Sequence, residues 1–286
     1  RVIDTVVGKL SNSFMQERQL LKLVVYSLLL INFALYIRND WVISGHTLSV
    51  TSTLLDWTRA FAVTIDESAW IMLLILFEME TYLLADNALS RKQSMCMQLV
   101  RIVCYASLAH TLYAYTVYVN ELNSAVLIEG VDNLCQLVGQ DLSYADNLVY
   151  TKLDANNCAA LSKATQFYYI DPPTFFIVED RAGLIIELQL AWVDLIEALV
   201  WLLILFTIEV AVWLQDRNIG EGQTFAVLAK IKWLLYFLLW LAIIYWLYRG
   251  HYMFAWDEFV WIAGFVAIEM NMRSWRREII QAKTAM

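Results

Sequence analysis

The chain has 286 residues, of which 60% are hydrophobic and only 17% are charged, and its formal net charge is −8. Soluble domains carry about a quarter charged residues, whereas the apolar residues here are gathered into long blocks. This composition excludes an ordinary soluble domain and predicts a lipid bilayer as partner. The excess of acidic over basic residues, 28 against 20, argues against a nucleic-acid partner.

Six apolar blocks are long enough to cross a bilayer, which takes about 20 helical residues. A membrane-barrel strand needs only about ten alternating residues, so the blocks predict helices. Both prolines lie outside them, which favours unbroken helices. We therefore expect an all-α integral membrane protein that forms a single membrane domain over 1–286. Its six transmembrane helices are Leu20–Ile37, Ser68–Leu84, Met95–Val119, Leu184–Leu214, Phe225–Leu247 and Phe259–Asn271.

The first predicted loop contains an amphipathic pattern. Leu54, Trp57, Phe61 and Ile65 share one face of a helix, with polar residues elsewhere on the wheel. We expect an interfacial amphipathic helix over 46–66, lying flat at the outer surface of the membrane. A helix packed under the next outer segment is the alternative.

The segment 120–183, between the third and fourth transmembrane helices, is too long to be a simple connector. Cys135 and Cys158 both lie in it, and an oxidising compartment would allow them to form a disulfide. Such a bond stabilises a loop of this size by about 3 kcal/mol on the chain-entropy model. We expect an extracytoplasmic cap of helix and loop, held by this disulfide.

Basic residues predict the orientation, because they accumulate on the cytoplasmic side. With the N-terminus inside, the inner segments hold 14 of the 20 lysines and arginines, and the outer segments hold 15 of the 28 acidic residues. The sequence therefore predicts that both termini are cytoplasmic. A bacterial inner membrane or a plasma membrane fits this arrangement.

A sparse signature recurs three times, which predicts three tandem hairpins. Each first helix opens with a basic residue and a tyrosine four positions later, and each second helix carries a tryptophan and a glutamate eight positions later. The positive-inside rule and aromatic belts explain the basic and aromatic residues without a repeat, but not the glutamates. The pairs are Lys22/Tyr26, Arg101/Tyr105 and Lys232/Tyr236 in the first helices, and Trp70/Glu78, Trp201/Glu209 and Trp261/Glu269 in the second.

Carboxylates inside apolar helices are costly, at about 2.5 kcal/mol or more each, so they must face protein, water or a cation. The fourth predicted helix gathers four of them within a sector of about 120°. We expect the repeated glutamates and this acidic face to form an ion pathway, with the tyrosines and basic residues of the signature in support. The pathway residues are Glu78, Glu209, Glu269, Asp194, Glu197 and Glu187.

The function predicted from these patterns is a membrane channel or transport protein for inorganic cations or protons. The alternative is a non-catalytic accessory or scaffold subunit of a larger membrane complex, in which glutamates bond to tyrosines and serve helix packing. Its partners would be copies of itself or other membrane subunits. No enzyme is expected, because the sequence lacks a serine-centred elbow, a histidine cluster and a Gly-rich phosphate loop. No pattern predicts a cofactor or a metal site.

Overall fold

The computed structural model describes residues 2–83, 90–216 and 223–266. The part of the chain that the structure describes is mostly helical. The described helices are α1 (Val2–Thr47), α2 (Leu54–Ala60), α3 (Ala62–Leu83), α4 (Arg91–Asn123), α5 (Cys158–Leu161), α6 (Arg181–Asp216), α7 (Gln223–Arg249) and a helix over 252–266, called α8 below.

Four described helices contain segments long and apolar enough to cross a membrane, and a fifth is added if α2 and α3 form one bent span. Large apolar side chains such as Ile102, Phe206 and Trp233 are exposed on α4, α6 and α7, as a lipid environment requires. These helices fit a membrane protein. The four segments are Lys22–Thr47, Arg91–Asn123, Arg181–Ala211 and Ala226–Arg249.

These segments and the bent pair overlap five of the six predicted transmembrane helices. The last predicted helix, Phe259–Asn271, extends beyond the described residues. The number six, the three-hairpin repeat and the orientation therefore stay predictions.

The region predicted as one helix over 46–66 is divided between three elements. The first helix continues to Thr47, and a turn then leads to α2. Thr53 caps α2 by accepting a hydrogen bond from the Asp56 backbone, while the Asp56 carboxylate accepts one from the Thr53 backbone. After Phe61 the chain bends by 69° into α3. Its position at a membrane interface stays a prediction.

The cap differs from the expected helix and loop, because residues between α4 and α6 form a five-stranded sheet. The strands are β1 (Val126–Leu127), β2 (Ser143–Asp146), β3 (Val149–Lys152), β4 (Phe167–Tyr169) and β5 (Ile177–Asp180). Their order in the sheet is β1-β4-β5-β2-β3, in which β2 and β5 are parallel and the other neighbours are antiparallel. The all-α prediction is therefore wrong for this segment.

Two apolar clusters hold this sheet in place. The first lies within the cap, where Phe167 and Val178 pack with Leu134 of a short 3₁₀ helix. The second joins the sheet to the helices, because Ile177 packs with Leu122 of α4 and with α6. The predicted disulfide between Cys135 and Cys158 is present, with 4.9 Å between the two Cα atoms, and it connects the 3₁₀ helix to α5.

The chain forms two compact units, of which the larger comprises Leu35–Leu238. Within it, α4 packs against both α3 and α6. Two tryptophans of the repeated signature meet here, since the rings of Trp70 and Trp201 lie edge to face with centroids 5.8 Å apart. Both rings are buried, so they contribute to the helical core of this unit.

The smaller unit comprises Arg1–Ala34 and Leu239–Met286. In its described part, α7 ends at Arg249, and the next residue, Gly250, has a φ of +82°, which suits glycine. The His251 backbone donates to the Trp246 carbonyl at 2.8 Å, and the two rings pack together. The Asn32 amide donates to Asp257 at 2.8 Å, which joins α1 to α8 through a buried polar pair.

Candidate functional site

The acidic face of α6 lies in the larger unit and begins at Glu187, which is 0% exposed. Its carboxylate accepts a hydrogen bond from the Leu148 backbone at 2.6 Å and one from the Tyr118 hydroxyl at 3.3 Å. Leu148 belongs to the turn between β2 and β3 and has a φ of +62°. Since a left-handed non-glycine residue costs about 1–2 kcal/mol, the bond to Glu187 helps to hold this turn. Glu187 thus joins α6 to α4 and to the cap.

Further along α6, two more predicted pathway residues lie close to Tyr115 of α4. Asp194 and Glu197 both act electrostatically on this tyrosine, and so do Asp66 of α3 and Asp40 of α1. Asp194 also interacts with Glu197 and Glu187. Four carboxyl groups from three helices therefore lie within electrostatic range of one tyrosine, which itself is partly buried.

Asp40 is the most enclosed of these four, at 4% exposure. One carboxylate oxygen accepts hydrogen bonds from the Thr64 backbone at 2.9 Å and from the Thr64 hydroxyl at 2.7 Å. These bonds connect α1 to the start of α3. They also compensate part of the cost of burying the carboxyl group.

The described glutamates of the repeated signature are Glu78 on α3 and Glu209 on α6. Glu209, near the other end of α6, is exposed and accepts a hydrogen bond from the Tyr105 hydroxyl at 2.5 Å. This contact joins the tyrosine and the glutamate of the second signature. Glu78 is partly buried in α3, and Glu269 lies outside the described residues. Each described supporting residue takes part in an interaction: Lys22, Tyr26, Arg101, Tyr105, Lys232 and Tyr236.

Sequence reasoning missed Asp40, Asp66 and Tyr115. The two aspartates were counted as outer-loop residues because the apolar blocks stop before Asp40 and begin after Asp66. Only the continuation of α1 to Thr47 and the start of α3 at Ala62 place them on helices. Tyr115 had no distinguishing signal among the aromatic residues of its helix.

The Glu121 carboxylate, near the end of α4, forms an ion pair with a basic side chain. The Arg59 guanidinium of α2 lies 2.5 Å from the Glu121 carboxylate of α4. Arg59 also approaches Asp56 at 3.9 Å. Because both charges of the Arg59–Glu121 pair are mostly shielded, this contact fixes α2 against the end of α4.

Within residues 2–83, 90–216 and 223–266, no group of three His, Cys, Asp or Glu side chains is arranged to hold a metal ion. No protein-family model, curated protein or solved structure matches the chain.

Proposed function

We propose that this protein moves cations across a membrane along the carboxyl groups of α6 and its neighbours. The observation that supports this is that four acidic side chains from three helices lie within electrostatic range of Tyr115. Acidic residues in membrane-spanning helices are costly, and they often mark ion or proton pathways. The segments that contain Asp40, Asp194 and Glu197 are all long and apolar enough to span.

The spacing along α6 suits stepwise passage. Glu187, Asp194 and Glu197 are separated by seven and three residues, which corresponds to rises of about 10 Å and 4.5 Å. A cation that leaves one carboxylate therefore meets the next within a short distance. The acidic groups also lower the energy of a positive charge in a site with little access to water. Copies of the chain, or other membrane subunits, are the protein partners that we expect.

Flux measurements on purified protein in liposomes test this proposal. We expect wild-type protein to carry sodium, potassium or protons down an imposed gradient, and Asp194→Asn to lower the rate at least tenfold. Glu129→Gln is the matched control, because Glu129 is an exposed residue in the turn after β1. Absence of flux in wild-type vesicles under every gradient and voltage would reject the proposal.

A scaffold role is the second candidate, and the Tyr105–Glu209 hydrogen bond favours it. This contact has the form expected if the signature glutamates serve helix packing, and it joins α4 to α6. A scaffold should be extracted from its native membrane in a stable complex with other proteins. In that case Glu209→Gln should weaken the complex, while flux through liposomes is absent in both proteins.

A further inference from the structure

The short helix α2 turns its apolar side outward and its basic side chain towards the protein. At about 100° per residue, Leu54, Trp57 and Phe61 share one face, and Arg59 lies on the opposite face. Leu54 is 81% exposed and Trp57 is 44% exposed, whereas the Arg59 side chain is only 23% exposed. A helix at a water-exposed surface has the reverse orientation, with its apolar face against the core. The outer face of α2 therefore suits an apolar surrounding.

Two polar contacts fix this orientation. The Arg59 guanidinium lies 2.5 Å from the Glu121 carboxylate, which connects the inner face of α2 to the end of α4. The capping box formed by Thr53 and Asp56 fixes the first turn of α2. A rotation of α2 that buried its apolar face would separate Arg59 from Glu121. The outward position of the apolar face is thus built into the fold.

Three aromatic rings meet beside the outer face of α2. The Trp57 and Phe61 rings are stacked with centroids 6.1 Å apart, and Trp41 of α1 lies edge-on to Phe61 at 6.3 Å. Trp41 is 68% exposed, and it belongs to the membrane-length segment of α1. Tryptophan is enriched where a membrane meets water, because its ring is apolar and its N–H group is polar. The cluster has the composition of an interfacial anchor.

The bend between α2 and α3 places α2 along a membrane rather than across it. The 22 residues of α3 form about 33 Å of helix, which crosses a hydrocarbon core of about 30 Å without α2. The two helices make an angle of 69°. Since spanning helices tilt by about 20° on average, α2 lies closer to the membrane plane than to its normal. Both flanking helices also expose apolar side chains, such as Val42 on α1 and Met72 on α3.

We propose that α2 is a lipid-binding element, which places Leu54, Trp57 and Trp41 among the headgroups and upper acyl chains of one leaflet. Lipid, rather than another protein, is the occupant that fits, because the exposed face lies at a bend between membrane-length helices that expose apolar side chains themselves. The exposure of Leu54 argues against the alternative in which this face packs under the cap. In the predicted orientation the leaflet is the outer one.

This lipid contact is independent of the ion pathway, since it uses none of the acidic groups near Tyr115. It adds a connection between the membrane surface and the cap. Arg59 joins α2 to the end of α4, and β1 of the cap begins three residues after α4.

Spin labelling of the full chain in liposomes tests the proposal. In a Cys96→Ser background, Leu54→Cys places a nitroxide on the outer face of α2 at an exposed position, where labelling should not disturb folding. Collisions with lipid-soluble oxygen and with a water-soluble nickel complex report the surroundings of the label. We expect the ratio of oxygen to nickel collisions at Leu54→Cys to be about tenfold higher than at Asn156→Cys on the exposed cap. Ile102→Cys, on the exposed side of α4, is the matched lipid control.

Each other surrounding gives a different result. A ratio at Leu54→Cys equal to that at Asn156→Cys would mean that α2 faces water, and it would overturn the proposal. Low collision rates with both reagents would mean that a second copy or another part of the chain covers the face, and they would overturn it as well. Neither measurement requires ion flux, so the transport function can fail while the lipid contact is confirmed.

Brominated phospholipids give a readout of direct contact. A bimane dye on Leu54→Cys should lose about half of its fluorescence when bromine is carried near the headgroup end of the acyl chains, and less when it is carried near the chain ends. The same dye on Asn156→Cys should keep its fluorescence. Absence of quenching at Leu54→Cys, in liposomes where Ile102→Cys is quenched, would overturn the proposal.

Discussion

The two ends of α6 accommodate carboxyl groups in different ways. At the cap end, Glu187 is fully buried and accepts hydrogen bonds from a backbone amide and a tyrosine. At the opposite end, Glu209 is exposed and accepts one from Tyr105. The buried group is part of a network that joins three elements, whereas the exposed one belongs to a contact between two helices. The hydrogen bonds to Glu187 compensate part of the cost of burying its carboxylate, a cost that the exposed Glu209 does not have.

The largest expected effect concerns pH and the cap end. The folded protein holds a proton on Glu179, a fully buried residue of β5 whose pKa burial raises to about 10, while the unfolded chain has lost that proton above its ordinary pKa. The stabilising contribution is therefore complete at acidic pH and declines as the pH rises towards 10. Between pH 5 and 8 this group should lower the free energy of unfolding by about 1.4 kcal/mol per pH unit.

Thermal unfolding in detergent, followed by near-UV circular dichroism of the cap tyrosines, measures this slope. Glu179→Gln is the control, since the amide does not titrate and should show a flatter dependence. Equal slopes in the two proteins would contradict the assignment of a buried neutral acid.

Removal of the Glu187 side chain should have the next largest effect. Glu187→Ala leaves the Leu148 backbone amide and the Tyr118 hydroxyl without their acceptor, and it creates a cavity. We expect a loss of about 3 kcal/mol in the free energy of unfolding. Glu187→Gln keeps an acceptor oxygen and should lose about 1 kcal/mol. Chemical denaturation in mixed micelles compares the two, and equal losses would show that the hydrogen bonds contribute little.

At the Glu209 end of α6, substitutions should cause a smaller loss of stability. Polar contacts between membrane helices contribute about 0.6 kcal/mol on average, so Tyr105→Phe and Glu209→Gln should each lower stability by about this amount. In a double-mutant cycle, the combined variant should lose about as much as either single change. Fully additive losses would mean that the hydrogen bond has no energetic role.

Cysteine substitutions at exposed positions should have the smallest effect on the protein, and they test whether the cap or the start of α4 faces outward. In a background with Cys96→Ser, Asn156→Cys places a thiol on the cap and Lys92→Cys places one at the start of α4; both positions are exposed. We expect a membrane-impermeant maleimide to label the cap position in intact cells and the α4 position only after permeabilisation. The reverse pattern would invert the predicted orientation.

The helical regions were largely predictable, because each apolar block is long enough for composition and length to indicate a helix. The disulfide was also predictable, since Cys135 and Cys158 were the two cysteines in one non-membrane segment. The sheet was not. Its strands have two to four residues each, too few for an alternating pattern, and β2 pairs with β5 across a long stretch of sequence.

The group of acidic residues near Tyr115 was likewise predictable only in part. Sequence position identified Glu187, Asp194 and Glu197 as costly groups on one helix, and it identified Tyr105 and Glu209 as members of a signature. It did not reveal that Asp40 and Asp66 approach Tyr115 from two other helices. It also gave no reason to select Glu179 among the acidic residues of the cap.

By itself, the sequence determined that long apolar helices dominate this protein and that several carboxyl groups occur within them, because both properties follow from residue types along a continuous segment. Only the tertiary structure decided which of those groups meet, which are sealed from solvent and which have hydrogen-bond donors. Those outcomes depend on contacts between distant segments, and a carboxyl group's energy is set by the neighbours it acquires on folding.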